Sequence, residues 1–414
     1  MTTPETQLEN LRDRIESSHK IDDGDRESIR EFDDALTLMK SNYSTYRHLK
    51  LLRHVTILAE RVGGVNAALT DKEAAKNIVR WIHRNYDNEE TNQDYRVALK
   101  VFGRHVSDEG VGGDPYEPPA SLDWIQSSTS NNYDPAPKPS DMLDWHDDIL
   151  PMIEATEHAR DAAAIALQFD AGLRGFEFKD LTYGDVTDHE HGLQVTADGK
   201  QGRRTVLLIP SVPYVRDWLD EHPTPSDRDA PLWSKLTEGE KISYRMLTKV
   251  FKKPAARAEV DKPVTLTNFR KSSASYHASK GLSQAHLESR YGWVRGSTTA
   301  SRYITIFGED ADNELAKLHG LEVNEGETQH IGPVDCPRCG YQEKREAHFC
   351  SRCGQAMRVE AAGKTEDLQD DIKYDYADTD PDDISTQEGI ETIDALLDDP
   401  DVKSALLERM GATE

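Results

Sequence analysis

Four side chains in this sequence could act together on a phosphodiester: Arg174, Lys200, Arg270 and Tyr303. A guanidinium is a planar, permanently charged fork, and two of them can grip both non-bridging oxygens of one phosphate in a way an ammonium cannot match. A phenol can then serve as a covalent nucleophile, and a lysine can hand a proton to a leaving oxygen. Taken singly, each has a plainer explanation, because most arginines are surface or ion-pair residues and most tyrosines pack. The second set with chemical meaning is Cys336, Cys339, Cys350 and Cys353, which are all the cysteines of the chain. They form two Cys-x-x-Cys pairs, each followed directly by a glycine, Gly340 and Gly354. That spacing predicts a zinc ribbon whose two knuckles close a four-thiolate site. A closed site leaves no position for a substrate, so the zinc is expected to be structural, and it would stabilise a module too short to build a core. Arg338 and Arg352 within it are candidates for DNA or protein contact.

The elements that must position these groups can be read from periodicity. Residues 1–107 read as helices with polar turns: apolar positions recur at three- and four-residue spacing in Ile29, Phe32, Leu36, Met39 and in Leu49, Leu52, Val55, Leu58. Further helices are expected over 73–85, with Ala74, Ile78 and Ile82 inward, and over 92–106. From 108 to 140 the pattern fails, and Gly, Pro, Ser and Asn runs mark a linker and a domain boundary. Residues 141–325 are mixed. A helix over 157–170 should stop at Gly172, placing Arg174 just beyond it. Strands over 193–197 and 205–209 should join across Asp198-Gly199, with Lys200 at the mouth of the hairpin. Helices are expected near 212–221, 243–256, 266–280, 283–291, 297–305 and 309–319. Residues 333–357 form the cysteine module, and 358–414 an acidic tail expected to be disordered, with one apolar patch at Ile390, Ile393, Leu396 and Leu397. By pattern, none of the four phosphate-directed residues occupies an apolar core position.

The net charge is −26, which at first argues against a polyanionic partner. Its distribution weakens that objection. Residues 359–414 hold 18 acidic and 4 basic side chains, and basic clusters interrupt the remainder, as in Lys200-Gln201-Gly202-Arg203-Arg204 and Lys249-Val250-Phe251-Lys252-Lys253. Such an acidic surface suits a salt-rich cytosol, where charge is screened within about 3 Å at 1 M, and a halophilic source is expected. There is no apolar run near the roughly 20 residues of a membrane span, and the charged start lacks the apolar centre of a secretory signal. A soluble cytoplasmic, nucleoid-associated protein is the expectation. Cysteines confined to one short stretch do not suggest a secreted disulfide scaffold. His189 and His191, flanking Glu190, read as solvated loop residues, and His286 has no partner at metal spacing.

The words around the four residues are more specific than the residues alone. Ala171-Gly172-Leu173-Arg174-Gly175-Phe176-Glu177, followed by Leu181 and Asp185-Val186, resembles the first-arginine box of the tyrosine recombinase (phage integrase) family. Asp198-Gly199-Lys200, running on to Ile209-Pro210, is similar to the hairpin that carries the family's lysine. Thr267-Asn268-Phe269-Arg270-Lys271 resembles the His-x-x-Arg-His box, and Tyr291-Gly292-Trp293 with Ser297, Thr298, Thr299 and Tyr303 resembles the Leu-Gly-His/Trp segment leading to the nucleophile. The boxes occur in order, and with the helical N-terminal region the resemblance covers about residues 10–320. It implies a mainly α fold with a small β-hairpin or sheet: a helical core-binding domain, then the tyrosine recombinase catalytic domain, followed here by the ribbon and tail. It also implies a site of Arg174, Lys200, Thr267, Arg270, Trp293 and Tyr303, working on double-stranded DNA through a 3′-phosphotyrosyl bond in a tetramer on paired sites, with no catalytic metal or ATP. Two departures stand out. Thr267 replaces the usual histidine and cannot act as a base near neutral pH, and Lys271 replaces the second histidine. Haloarchaeal integrases share the Thr-Asn-Phe-Arg-Lys wording. The readings from other classes are a non-catalytic DNA-binding regulator on the same fold and a type IB topoisomerase-like relaxase.

Overall fold

The computed structural model describes residues 3–107, 117–130, 132–199, 202–308 and 330–363 apart from 360, with single positions at 315, 319 and 402. Lys200, the expected helix at 309–319 except for positions 315 and 319, and nearly all of the acidic tail lie outside the described residues. The chain divides into two compact units, 1–135 and 136–414.

The first unit is helical. It comprises α1 (Pro4–Ser17), α2 (Asp23–Leu38), α3 (Thr45–Arg61), α4 (Lys72–Asn85), α5 (Glu89–Val106) and the short α6 (Ala120–Asp123). Five of these six begin at a side-chain N-cap, Thr3, Asp22, Ser44, Asp71 and Asn88, each accepting from a backbone N–H of the first turn. The periodic residues Ile29, Phe32, Leu36, Leu52, Val55, Leu58 and Ile82 are buried in one core, while Met39 caps α2 at the rim. The expected linker is not featureless. Leu122 and Ile125 enter that core, and Arg96 donates to the carbonyls of Gln126 and Ser128, strapping the segment to α5. A four-residue helix carries too few turns to show a period, so only Leu122 within it and Ile125 just after it hinted at this.

In the second unit a π-helical turn, Trp145–Ile149, leads into α7 (Leu150–Glu154). The central helix α8 (Ala159–Ala171) follows and ends at Gly172 in the left-handed conformation, φ 55°. Next come α9 (Gly175–Lys179) and a three-stranded antiparallel sheet of β1 (Val186–His189), β2 (Gly192–Gly199) and β3 (Gly202–Leu208). β2 and β3 pair with Val195 opposite Val206 and Gly199 opposite Gly202, so Asp198 and Gly199, where the sequence pattern put the turn, belong to β2 instead. β1 escaped the sequence pattern because it is four residues long and largely polar. His189 is its last residue, and His191 lies in the turn to β2. Helices α10 (Val212–Glu221), α11 (Tyr244–Arg257), α12 (Leu266–Ser279), α13 (Gln284–Tyr291) and α14 (Thr298–Phe307) follow. The core gathers α8, the sheet and the aromatics Phe178, Trp233, Phe251 and Phe269. The buried indoles of Trp218 and Trp233 donate to the carbonyls of Leu232 and Phe178 at 2.9 and 2.8 Å, which removes the cost of burying an unpaired N–H.

The cysteine module closes the described chain with the two-stranded pair β4 (Val334–Asp335) and β5 (Gln342–Glu343). It packs against the rest of the second unit. Ile331 enters the main core, Lys344 pairs with Asp217 at 2.7 Å, and Arg216 lies over the ring of Tyr341.

Candidate active site

The left-handed turn at Gly172 lets the chain leave α8 abruptly, and Arg174 becomes the N-cap of α9. Its backbone N–H donates to Glu177 Oε2 at 2.8 Å and its Nη1 to Glu177 Oε1 at 2.8 Å. Glu177 has no exposed side-chain surface and also accepts a bidentate pair from Arg204 of β3, at 2.9 and 2.7 Å. Burial opposes ionisation of this carboxyl, but the bonds from Arg204 and Arg174 prevail and hold it down to about 2. One carboxylate thus orients two guanidiniums.

Arg270 projects from the first turns of α12, which is capped by Thr265. Its Nη1 donates to Gly172 O at 2.7 Å and its Nη2 to Tyr291 O at 2.5 Å, while Arg174 Nη2 donates to the neighbouring carbonyl, Gly292 O, at 2.6 Å. Two residues from separate helices therefore converge on one turn of backbone. Burial, then the charges of Arg174 and Arg204, pull Arg270 down to about 10. It remains cationic at neutral pH, and positive charge is concentrated where an anion could relieve it.

The same turn runs into Trp293. Its ring stacks on Tyr291 (5.0 Å between centroids, 27°) and on Tyr303 of α14 (5.3 Å, 17°). The Arg270 guanidinium sits 5.6 Å from the Trp293 ring. Tyr303 corrects a sequence expectation: it is only 7% exposed and belongs to a small apolar cluster with Ala274, Leu287, Tyr291 and Ala300. The reason is that α14 folds back over α12 and α13, burying whatever faces them. That burial pushes the Tyr303 phenol up to about 12, against the opposing pull of Arg270 and Arg302, so the group is protonated at neutral pH. Thr267 is exposed on the first turn of α12, three residues before Arg270 and on the same helical face.

Of the six expected site residues, Arg174, Arg270, Trp293 and Tyr303 come together, Thr267 stands at the edge, and Lys200 lies outside the described residues. Sequence reasoning gave no weight to Arg204 or Tyr291 as parts of the site. Arg204 carried a signal, since it belongs to the only basic cluster on a strand. Tyr291 carried only its place beside Gly292.

Two other features bear on function. The exposed face of α11 presents Arg245, Lys249, Lys252 and Lys253 with Tyr244 and Met246. The helix contains no acidic residue, which is notable in a chain with 76 carboxylates against 50 basic groups. Among the described residues none of these four cations pairs with a carboxylate, whereas Arg257 at the helix end pairs with Glu157. In the ribbon the four cysteine sulfurs lie within 4.8 Å of one another, with Cys336 to Cys353 at 3.6 Å and Cys339 to Cys350 at 3.7 Å. A tetrahedron with bonds of about 2.3 Å has edges close to those lengths. Gly340 and Gly354, at φ 71° and 69°, turn each knuckle and donate to Cys336 O and Cys350 O. The donor set and its spacing fit zinc. A cleft of about 1330 Å³ between α10 and the ribbon is lined by Asp217, Asp220, Glu221 and Glu346. It borders the start of α8, while the arginine site lies at the helix's other end.

Residues 145–309 match the family described as phage integrase family. The chain carries a phage integrase domain. Solved structures with the same fold include a lambda integrase tetramer bound to a Holliday junction (TM-score 0.52, 12% identity, covering 69% of this chain and 78% of that one). A lambda integrase dimer bound to a core site is similar (0.52, 12%, 72% and 85%), as is the Tn1549 transposon integrase with a circular intermediate DNA (0.51, 14%, 71% and 98%). No curated protein matches the chain by sequence. The phage integrase domain spans the π-helical turn to the end of α14 and so contains every expected phosphate-directed residue. No described helix is long and apolar enough to cross a membrane.

Proposed function

We propose that the protein is a site-specific DNA recombinase that breaks and rejoins strands through Tyr303. The observation that carries this reading is the convergence of Arg174 and Arg270 on the carbonyls of Gly292 and Tyr291, one and two residues before the indole that stacks on Tyr303. In the reaction Arg174 and Arg270 exchange those carbonyl bonds for the non-bridging oxygens of the scissile phosphate. Tyr303 Oη forms a bond to phosphorus as the P–O5′ bond breaks, the phenolic proton leaves to solvent, and Lys200 supplies a proton to the departing 5′-oxygen. The Trp293 N–H donates to a phosphate oxygen as charge develops, and Thr267 orients the phosphate beside Arg270. Losing one such preorganised donor costs roughly 2.7–4 kcal/mol of transition-state stabilisation. The 3′-phosphotyrosyl bond conserves the energy of the phosphodiester, and attack by a second strand's 5′-hydroxyl reverses the step without ATP.

The helical unit at 1–107 is assigned to core DNA binding, the basic face of α11 to phosphate contact, and the active assembly to a tetramer on two paired sites. Cys336, Cys339, Cys350 and Cys353 hold a structural zinc, which supplies folding energy to the ribbon and takes no part in the chemistry. The acidic surface fits a source with molar internal salt, which requires folding stability to fall in dilute buffer. Retention of both arginines and the tyrosine speaks against a binding-only regulator. The test is a nicked duplex library: the wild type should form a DNA adduct stable in denaturing detergent, and no adduct under any salt condition defeats the reading.

A further inference from the structure

Arg270 and Tyr303 both lean on a residue that the chemistry does not use. Tyr291 ends α13 and is fully buried. Its carbonyl accepts from Arg270 Nη2, its ring lies 5.4 Å from the Arg270 guanidinium, and the same ring stacks on Trp293, which also stacks on Tyr303. At the other end its hydroxyl lies 2.7 Å from Ser273 Oγ and 2.9 Å from His277 Nδ1.

One proton arrangement satisfies this network. Ser273 donates to Asp170 O at 3.1 Å, Tyr291 donates to Ser273 Oγ, and the His277 Nδ1–H is shared between Ser273 O, at 2.8 Å, and the Tyr291 oxygen. It requires a proton on His277 Nδ1 and a neutral phenol. Burial pushes Tyr291 up to about 12, so the phenol keeps its proton across the working pH range; burial also drives His277 down to about 3, and the proton of the neutral ring sits on Nδ1 because that nitrogen faces the Ser273 carbonyl, which can only accept. The turn that carries Arg174 is also shaped around this ring: a Cβ on Gly172 would lie 2.5 Å from Tyr291 Cε1. The family's third box has leucine where Tyr291 stands, and leucine could make none of the hydroxyl bonds.

We propose that Tyr291, locked at its hydroxyl by Ser273 and His277, is a positioning residue that fixes the separation between Arg270 and the nucleophile Tyr303. It touches neither substrate nor reacting atoms and acts through Arg270 on one side and Trp293 on the other. The lock restrains rotation and sliding of the ring between the guanidinium and the indole, so the phosphate grip and the attacking oxygen keep one register. The inference rests on the strand-transfer reading.

The experiment uses the full-length protein and a library of nicked 30-base-pair duplexes of random sequence, from which the wild type selects a duplex by covalent capture. With that duplex at saturating concentration, single-turnover adduct formation yields two quantities. The amplitude reports the folded fraction, and the rate constant reports site geometry. Tyr291→Phe keeps the ring and its stacking and removes only the hydroxyl. His277→Leu removes the nitrogen, and His277→Asn retains a hydrogen-bonding group near Nδ1. Tyr291→Phe and His277→Leu should each lower the rate constant about tenfold, the equivalent of about one hydrogen bond removed from positioning, with duplex affinity unchanged. His277→Asn should recover most of the rate, and the Phe/Leu double variant should be no slower than the slower single variant. Wild-type rate constants in Tyr291→Phe and His277→Leu, whatever their amplitudes, overturn the proposal, and so does full additivity in the double variant. Absence of any wild-type adduct removes the strand-transfer reading itself, and this inference with it.

Discussion

Glu177→Gln is the perturbation that most sharply separates a built site from a chance cluster of arginines. The glutamate is enclosed, and its two oxygens serve Arg204 and Arg174 at once. A carboxyl held near 2 instead of its ordinary 4.5 contributes about 3 kcal/mol to folding at neutral pH. Because the folded value is the depressed one, that contribution is present in full above about pH 4.5 and is lost as the pH falls towards 2. Glutamine keeps the shape and removes the charge, leaving Arg174 and Arg204 beside Arg270 without the carboxylate that they share. Breaking a buried pair in this way costs about 3–5 kcal/mol. Urea unfolding at pH 7 should therefore show a loss of about 3 kcal/mol or more, and the acid limb between pH 4.5 and 2 should be flatter in the variant than in the wild type. A variant within about 1 kcal/mol of the wild type at pH 7, with an unchanged acid limb, would refute the view that this carboxylate organises the site.

Replacing Lys249, Lys252 and Lys253 together with glutamine should leave adduct chemistry at saturation intact. It should also flatten the dependence of log Kd on log salt by about 2–3, close to 0.9 for each phosphate no longer neutralised; an unchanged slope in a salt titration removes α11 from the DNA interface. Gly172→Ala forces a left-handed φ on a residue with a Cβ and drives that carbon into Tyr291, so thermal or urea unfolding should register a loss of about 1–3 kcal/mol or more, and a neutral result contradicts the packing described. Elemental analysis should find one zinc per chain, and the Cys336→Ser/Cys339→Ser variant should lose it and release the ribbon to protease; no bound metal in the wild type ends the zinc assignment.

The sequence made the boxes legible because their chemistry is local: Gly172 stops α8, Gly199 and Gly202 frame the hairpin, and the Cys-x-x-Cys spacing sets both knuckles within a few residues of chain. It concealed whatever depends on tertiary approach. Nothing near Tyr303 announces that α14 will bury it against Trp293, and nothing near Arg204 announces that it will share Glu177 with an arginine on a distant helix cap. Leu122 and Ile125 sat in a run dominated by polar and turn residues, so their place in the first core became visible only once α5 and α6 were side by side. The basic face of α11 was half legible: the lysine cluster stood out, but its lack of carboxylate partners among the described residues is a property of the folded surface.

The most direct measurement is the identity of the amino acid left attached to DNA after the captured complex is digested with protease and nuclease and read by mass spectrometry. The account requires a nucleotide linked through its 3′-phosphate to Tyr303, lost in Tyr303→Phe and retained, at a lower rate, in Tyr291→Phe. A nucleotide on any other residue, or attachment that survives in Tyr303→Phe, contradicts it.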